Sequence, residues 1–366
     1  MVDLRLIPPI LDVVTPLEPL PFPVYFITKD TIKWSDLLSN PDLPDNLEEV
    51  IARSTSGNDI WAVQTYLQLK QRGLDVRLSA HFVTNEICVA PYHYLRIKDL
   101  GFHSYVIASR LDSARPEICE RQTVLNMHCV QTDRDHFIPQ WPLPGIKPRD
   151  PLRGSKLEIL DFKGDVRYNL AEPFRTPEFS SQLANLGVRF VHSSTNPTKM
   201  FVDYTNYRAS DLFIAIRNAT FSDLGVKPAC KLINAWFGGC PAILGPEPAY
   251  QELRKSEIDF IEVRSPEQAL EAIKRLKENP DLYLSMVENG YHRALEFTAD
   301  SIARQWREFL SGPVADDYLK WKSKNAFTRT VGRPMQYAMR ILAHRKAAKQ
   351  YLYQRDNGER LFPIKE

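Results

Sequence analysis

The sequence predicts an α/β protein of two domains, each a parallel sheet layered with helices. Short apolar runs alternate with stretches of helical period in both halves of the chain. The alternation breaks once, at 137–154, FIPQWPLPGIKPRDPLRG, where five prolines and two glycines mark a linker. A chain of 366 residues also exceeds what one ordinary hydrophobic core holds. The expected division is 1–145, 155–312 and a helical tail at 313–366.

Taken in order, residues 1–23 read as an extended, proline-bearing arm. Pro23 to Thr28 reads as the first strand. Asp59 to Arg72 has apolar residues at helical spacing, and Gly73 closes that helix. Strands follow at 75–80, 87–89, 105–108 and 123–127. Past the linker the pattern restarts with strands at 157–162, 188–192 and 211–216, and a helix from Phe179 to Leu186 between the first two. A helix opening at Lys227-Pro228 leads to Gly238-Gly239 and the strand Ala242-Ile243-Leu244. A strand at 260–263 precedes Ser265-Pro266-Glu267, which has the cap, N1 proline and early acid of a helix start. Helical patterns then run to about Leu310 and through the tail.

Composition excludes several classes. A formal charge of +2, with 25% charged residues, carries no global signal for nucleic acid. Five scattered cysteines without a CxxC pair fit neither a zinc site nor a disulfide framework, and suit a reducing cytoplasm. The start lacks the pattern of a signal peptide, and no stretch is long and apolar enough to span a bilayer.

Polar residues gather where open sheets bind ligands, at strand ends and helix starts. Arg217 follows the strand Phe213–Ile216. Lys227 and Lys231 fall four apart at the next helix start, a spacing that shares one face. Three cations with a helix N-terminus make a diphosphate clamp that needs no metal. The turn Gly245-Pro246-Glu247-Pro248-Ala249-Tyr250 offers Glu247 to sugar or ribose hydroxyls, with Tyr250 beside it. Gly57 and Asn58 open a helix in the first half, where a small residue lets a ligand approach the backbone. His81, Asp112 and His128 follow strands there and are candidates for a general base, His81 and His128 ahead of Asp112, since imidazole titrates near neutrality. Asp133-Arg134-Asp135 has a metal-binding spelling, but it sits near the linker and reads as a solvated turn. Residues 318–355 interleave Lys and Arg with Trp321, Met335, Met339 and Leu342. That pattern suits either a helix packed on the first domain or a basic face on a membrane surface.

The order strand, Arg217, Lys227-Pro228, Lys231, helix, GCPAILGPEPAY, strand, SPEQAL resembles the donor half of nucleotide-sugar glycosyltransferases of the GT-B fold. The resemblance covers about residues 24–310 and is strongest from Asp211 onward. It implies two Rossmann-like domains facing a deep cleft, with the helical tail returning to the first. It implies transfer of a sugar, most simply a hexosyl group, from a nucleoside-diphosphate donor to a hydroxyl acceptor (a glycan, a lipid-linked or a small molecule), as in polysaccharide biosynthesis. No cofactor is implied, metal included, and the setting is cytoplasmic with peripheral membrane contact through the tail. Asn234 and Val226 stand where many retaining members carry paired glutamates, which tilts the expectation towards inversion. The rival expectations are a silent nucleotide-sugar or glycan-binding homologue, and an epimerase or hydrolase of the same fold.

Overall fold

The computed structural model describes residues 3–9, 13–99, 101–193, 202–325 and 327–362. The chain divides into two units, 12–141 with 299–356, and 1–11 with 142–298 and 357–366.

The first unit is built on six parallel strands: β1 Val24–Ile27, β2 Val76–Ser79, β3 Ile87–Pro91, β4 Tyr105–Ser109, β5 Arg121–Val124 and β6 Asp135–Phe137. Their order is β2-β1-β3-β4-β5-β6. Strand side chains alternate between faces, and both faces here are covered. Ile87 and Val89 join a core with Phe26, Trp61, Trp306, Phe309 and Tyr318. Cys88 and Ala90 face the other way, into a cluster against which Tyr337 and Ile341 of the helix Arg333–Asn357 pack. The sheet is thus covered on one side by Trp306 and Phe309 of the helix Ala299–Phe309 and by Tyr318, and on the other by the last helix. The buried Arg72 guanidinium bonds Asp300 at 2.8 Å and ties these C-terminal helices to the early one.

The second unit holds β7 Ile159–Phe162, β8 Arg189–His192, β9 Leu212–Ala215, β10 Ala242–Leu244 and β11 Ile261–Glu262, all parallel. Their order is β11-β10-β9-β7-β8. Leu212 and Ile214 pack with the helices Pro177–Asn185, Pro266–Glu278 and Pro280–Ala294. Phe213 and Ala215 pack with Leu232, Ile233 and Trp236 of the helix Cys230–Phe237. Gly239 turns the chain back at φ +63°, and a Cβ there would lie 2.1 Å from the Tyr291 hydroxyl, so only glycine closes this turn. The last described residues also belong to this unit. Phe221 N donates to Glu359 O at 2.9 Å, and Phe362 packs edge-on against Phe174.

Four local expectations change. The strand expected at 123–127 lies at Arg121–Val124, because the Asn126 side chain accepts from Cys129 N and folds Met127–Cys129 into a 3₁₀ turn. Asp135 is no solvated turn residue. It is buried at the start of β6, where Arg115 (2.7 Å) and the backbone N–H groups of Gln131 and Thr132 neutralise and satisfy it. The helix expected to open at Lys227-Pro228 opens at Cys230, because Thr220 caps a separate short helix, Phe221–Leu224, just before it. The N-terminal arm contains a 3₁₀ turn, Leu4–Leu6, whose Leu6 is buried in the second unit's core.

Candidate functional site

A buried polar cluster lies at the C-terminal edge of the second sheet. Arg217 stands two residues beyond β9, Glu247 follows β10, and Lys231 is the second residue of the helix Cys230–Phe237. Arg217 Nη1 bonds Glu247 Oε2 directly and donates to the Tyr250 hydroxyl at 3.1 Å. Glu247 and Tyr250 are 0% exposed. Lys231 Nζ donates to Lys163 O at 2.9 Å and lies 4.3 Å from the Phe162 ring centroid. A side chain at Gly164, φ +155°, would press on that ring at 3.0 Å and on the Lys231 amine at 3.2 Å, so the glycine makes room for the lysine.

The electrostatics are those of a cation-rich, dry site. Burial opposes the charge on Arg217, but Glu247 more than compensates and holds the guanidinium ionised. Burial pushes the Glu247 carboxyl up, and Arg217 and Lys231 pull it back only in part. Glu247 Oε1 is buried without a hydrogen-bond partner. Burial, and then the charge of Arg217, bring Lys231 down to about 7. The cluster therefore holds one matched ion pair and one amine poised to take a proton when an anion arrives.

The structure brings together Arg217, Lys231, Glu247 and Tyr250. It does not bring Lys227 onto a shared helical face with Lys231. Lys227 precedes the helix and pairs with Asp223 at 3.2 Å. Glu247, expected to face hydroxyl groups, gives one oxygen to Arg217. Lys163 and Gly164, at the end of β7, were not singled out in the sequence. The signal was available, since Lys163-Gly164 follows an apolar strand just as Arg217 does.

The remaining candidates lie in the first unit. Gly57 and Asn58 sit in a capping box in which Ser56 Oγ accepts from Asp59 N and the Asp59 carboxylate accepts from Ser56 N. Asn58 Oδ1 lies 3.1 Å from His93 Nδ1, so Asn58 orients a histidine, and Gly57 is the first residue of the short helix that Ser56 caps. His81, Asp112 and His128 are all exposed, after β2, β4 and β5 respectively. The strand order puts the ends of β4 and β5 side by side and β2 at the sheet edge.

Residues 190–308 match the family model described as glycosyl transferase-like. No curated protein matches the chain. Among solved structures, the chain is similar to HepE from Anabaena in complex with UDP, at 11% identity and a TM-score of 0.46, covering 81% of this chain and 100% of that one. It is similar to AviGT4, a glycosyltransferase of avilamycin A biosynthesis, at 13% and 0.45, covering 80% and 99%. Similarity to TarM, at 8% and 0.43, covers 63% of this chain and only 55% of TarM.

Proposed function

We propose that this chain is a glycosyltransferase that moves a sugar from a nucleoside-diphosphate donor to a hydroxyl acceptor. The observation that carries the reading is the Arg217–Glu247–Tyr250–Lys231 cluster at strand ends inside the glycosyl transferase-like segment. A diphosphate there is met by Arg217 and Lys231, with Glu247 and Tyr250 fixing the guanidinium. The matched family model favours transfer over an epimerase, a hydrolase or a silent binder. Turnover of a panel of nucleotide sugars with hydroxyl acceptors tests the reading. Transfer that persists in EDTA agrees with a site that needs no metal. Binding without any turnover favours the silent homologue.

Lys231 gives the donor site a pH signature. With the amine at about 7 in the unliganded protein, it is increasingly neutral above that pH, and a bound diphosphate restores the proton. Nucleotide diphosphate affinity is expected to fall from about pH 7.5 to 9.5, where the nucleotide's own phosphates (second pKa about 6) are already ionised. Calorimetry in buffers of different ionisation enthalpy should show proton uptake on binding. Lys231→Ala should bind roughly tenfold more weakly and lose both the slope and the uptake. An unchanged slope in that variant counts against Lys231.

Peripheral contact with an anionic membrane belongs to the same reading. The helix Arg333–Asn357 turns Tyr337 and Ile341 inward, which leaves Met335, Met339 and Leu342 outward at 65, 58 and 67% exposure. Lys346 and Lys349 continue that outer face at helical spacing, and both are exposed. An apolar patch with cations beside it matches a lipid surface of negative charge. The full chain should pellet with phosphatidylserine-containing vesicles and not with phosphatidylcholine alone, and Met339→Glu with Leu342→Glu should abolish pelleting. No pelleting with the anionic vesicles removes this part of the reading.

A further inference from the structure

We propose that the C-terminal edge of the first sheet carries a second anion site, built on Arg110, that takes a carboxylate or phosphate group of the acceptor. Its assignment to the acceptor rests on the transferase reading, whereas the anion site itself does not.

Arg110 is the first residue beyond β4, at the edge where parallel sheets bind ligands. It is only 7% exposed. Its Nε donates to Ser113 O at 3.0 Å, and its Nη1 is buried with no hydrogen-bond partner. No carboxylate comes within ion-pair reach of it among the described residues. Arg115, Arg121 and Arg134 of the same unit each pair with an acid, Asp135, Asp317 and Glu117. A buried cation left unmatched is costly, and a fold that keeps one commonly completes it with a ligand.

The surroundings are built to hold Arg110 in place. Leu111 has φ +57°, a left-handed conformation that a branched side chain adopts only under constraint. Arg110 N donates to Thr123 O at 3.0 Å, which fixes the chain just before that bend. Gly57 approaches from the other side, where a Cβ would lie 3.8 Å from Leu111 Cδ1. This brings the Ser56–Asn58 turn, and His93 bonded to Asn58, to the same edge. The edge thus has a buried guanidinium with an unpartnered Nη1, suited to an oxyanion that brings it an acceptor oxygen. A uronic acid or a phosphate-bearing acceptor supplies such a group.

The full chain is titrated calorimetrically with inorganic phosphate, with glucuronate and with glucose, as wild type, Arg110→Gln and Arg217→Ala. The wild type should bind one or both anions and not respond to glucose. Inorganic phosphate also reaches the Arg217–Lys231 cluster, so the site is read as the anion binding that Arg217→Ala retains, and Arg110→Gln should weaken that component at least tenfold. Preference for phosphate points to a phosphate-bearing acceptor, and preference for glucuronate to a uronic acid. Anion affinity unchanged by Arg110→Gln, or lost only in Arg217→Ala, overturns the proposal. If Arg110→Gln does not fold, Arg110→Lys decides: several-fold weaker binding agrees with a lost guanidinium fork, and unchanged binding overturns it. The two readings fail differently. A protein that binds anions through Arg110 without transferring sugar loses only the transferase reading, and one that transfers sugar with anion binding indifferent to residue 110 loses only this site.

Discussion

Arg217→Ala is expected to weaken nucleotide-diphosphate binding roughly tenfold or more and to destabilise the second unit by about 3–5 kcal/mol. The two losses have different origins. Affinity falls because a charge-assisted bond to phosphate is gone. Stability falls because Glu247 is fully buried, bonds Arg217 through Oε2 and has no partner for Oε1, so the variant leaves a carboxylate with neither water nor its cation. Lys231 does not take its place, because its amine donates to Lys163 O and gives Glu247 no hydrogen bond. Glu247 then takes up a proton, its folded-state pKa rising further above the ordinary value. Stability tied to such a raised carboxyl is present below its unfolded pKa, about 4.3, and is lost as pH rises through the folded value. The variant's deficit should therefore be smaller at about pH 5 than at about pH 8. Denaturant unfolding at the two pH values, beside nucleotide titration, measures both effects. Removing the stranded carboxylate as well, in Arg217→Ala with Glu247→Gln, should recover much of the stability and none of the affinity. A deficit that does not change with pH, or a double variant no more stable than the single, would place the cost elsewhere than in the broken pair.

This pair shows where the sequence was legible and where it stopped. Arg217 and Glu247 were each identified as strand-end polar groups, because an apolar run ending in a polar residue marks the ligand-binding edge of an open sheet. Their bond to each other spans 30 residues and depends on β9 and β10 being neighbours, which local pattern does not state. The strand Ala242–Leu244 was read at its observed bounds because glycines and prolines fence it. The strand after Glu120 was misplaced, because Leu125-Asn126-Met127 continues an apolar rhythm that the Asn126 side chain interrupts by capping the next turn. Asp135 looked solvated because the cation that neutralises it, Arg115, lies 20 residues away. Lys227 and Lys231 looked like one helical face because nothing in the local spacing reveals that one short helix ends before Lys227 and another begins after Ala229. In the tail, the spacing of Met335, Met339 and Leu342 was visible. Which side faces the sheet was settled only by Tyr337 and Ile341 packing on the β3–β4 cluster.

His128→Ala is expected to lower kcat by about 10²–10⁴-fold while leaving donor affinity nearly intact. An inverting transfer needs a group that takes the acceptor hydroxyl's proton as its oxygen bonds to the anomeric carbon and the nucleoside diphosphate departs. That group must lie beside the bound acceptor, and the proposed anion site at Arg110 puts the acceptor at the end of β4. β5 is the neighbouring strand, and Asn126 holds the exposed His128 on a short turn at its end. His81 follows β2, which β1 and β3 separate from β4, so its removal should leave turnover near wild type. Asp112 stands two residues beyond Arg110 on the same edge and is the second candidate. Steady-state kinetics with a true acceptor, with nucleotide binding measured separately, distinguishes these outcomes. A large loss in His81→Ala with His128→Ala unaffected would move the acceptor to the sheet edge and count against the Arg110 site as well. Wild-type turnover in both histidine variants would pass the role to Asp112. If Asp112→Asn also turned over normally, the reaction would have to proceed with retention, where the departing phosphate oxygen can accept the proton and no base from this sheet is required.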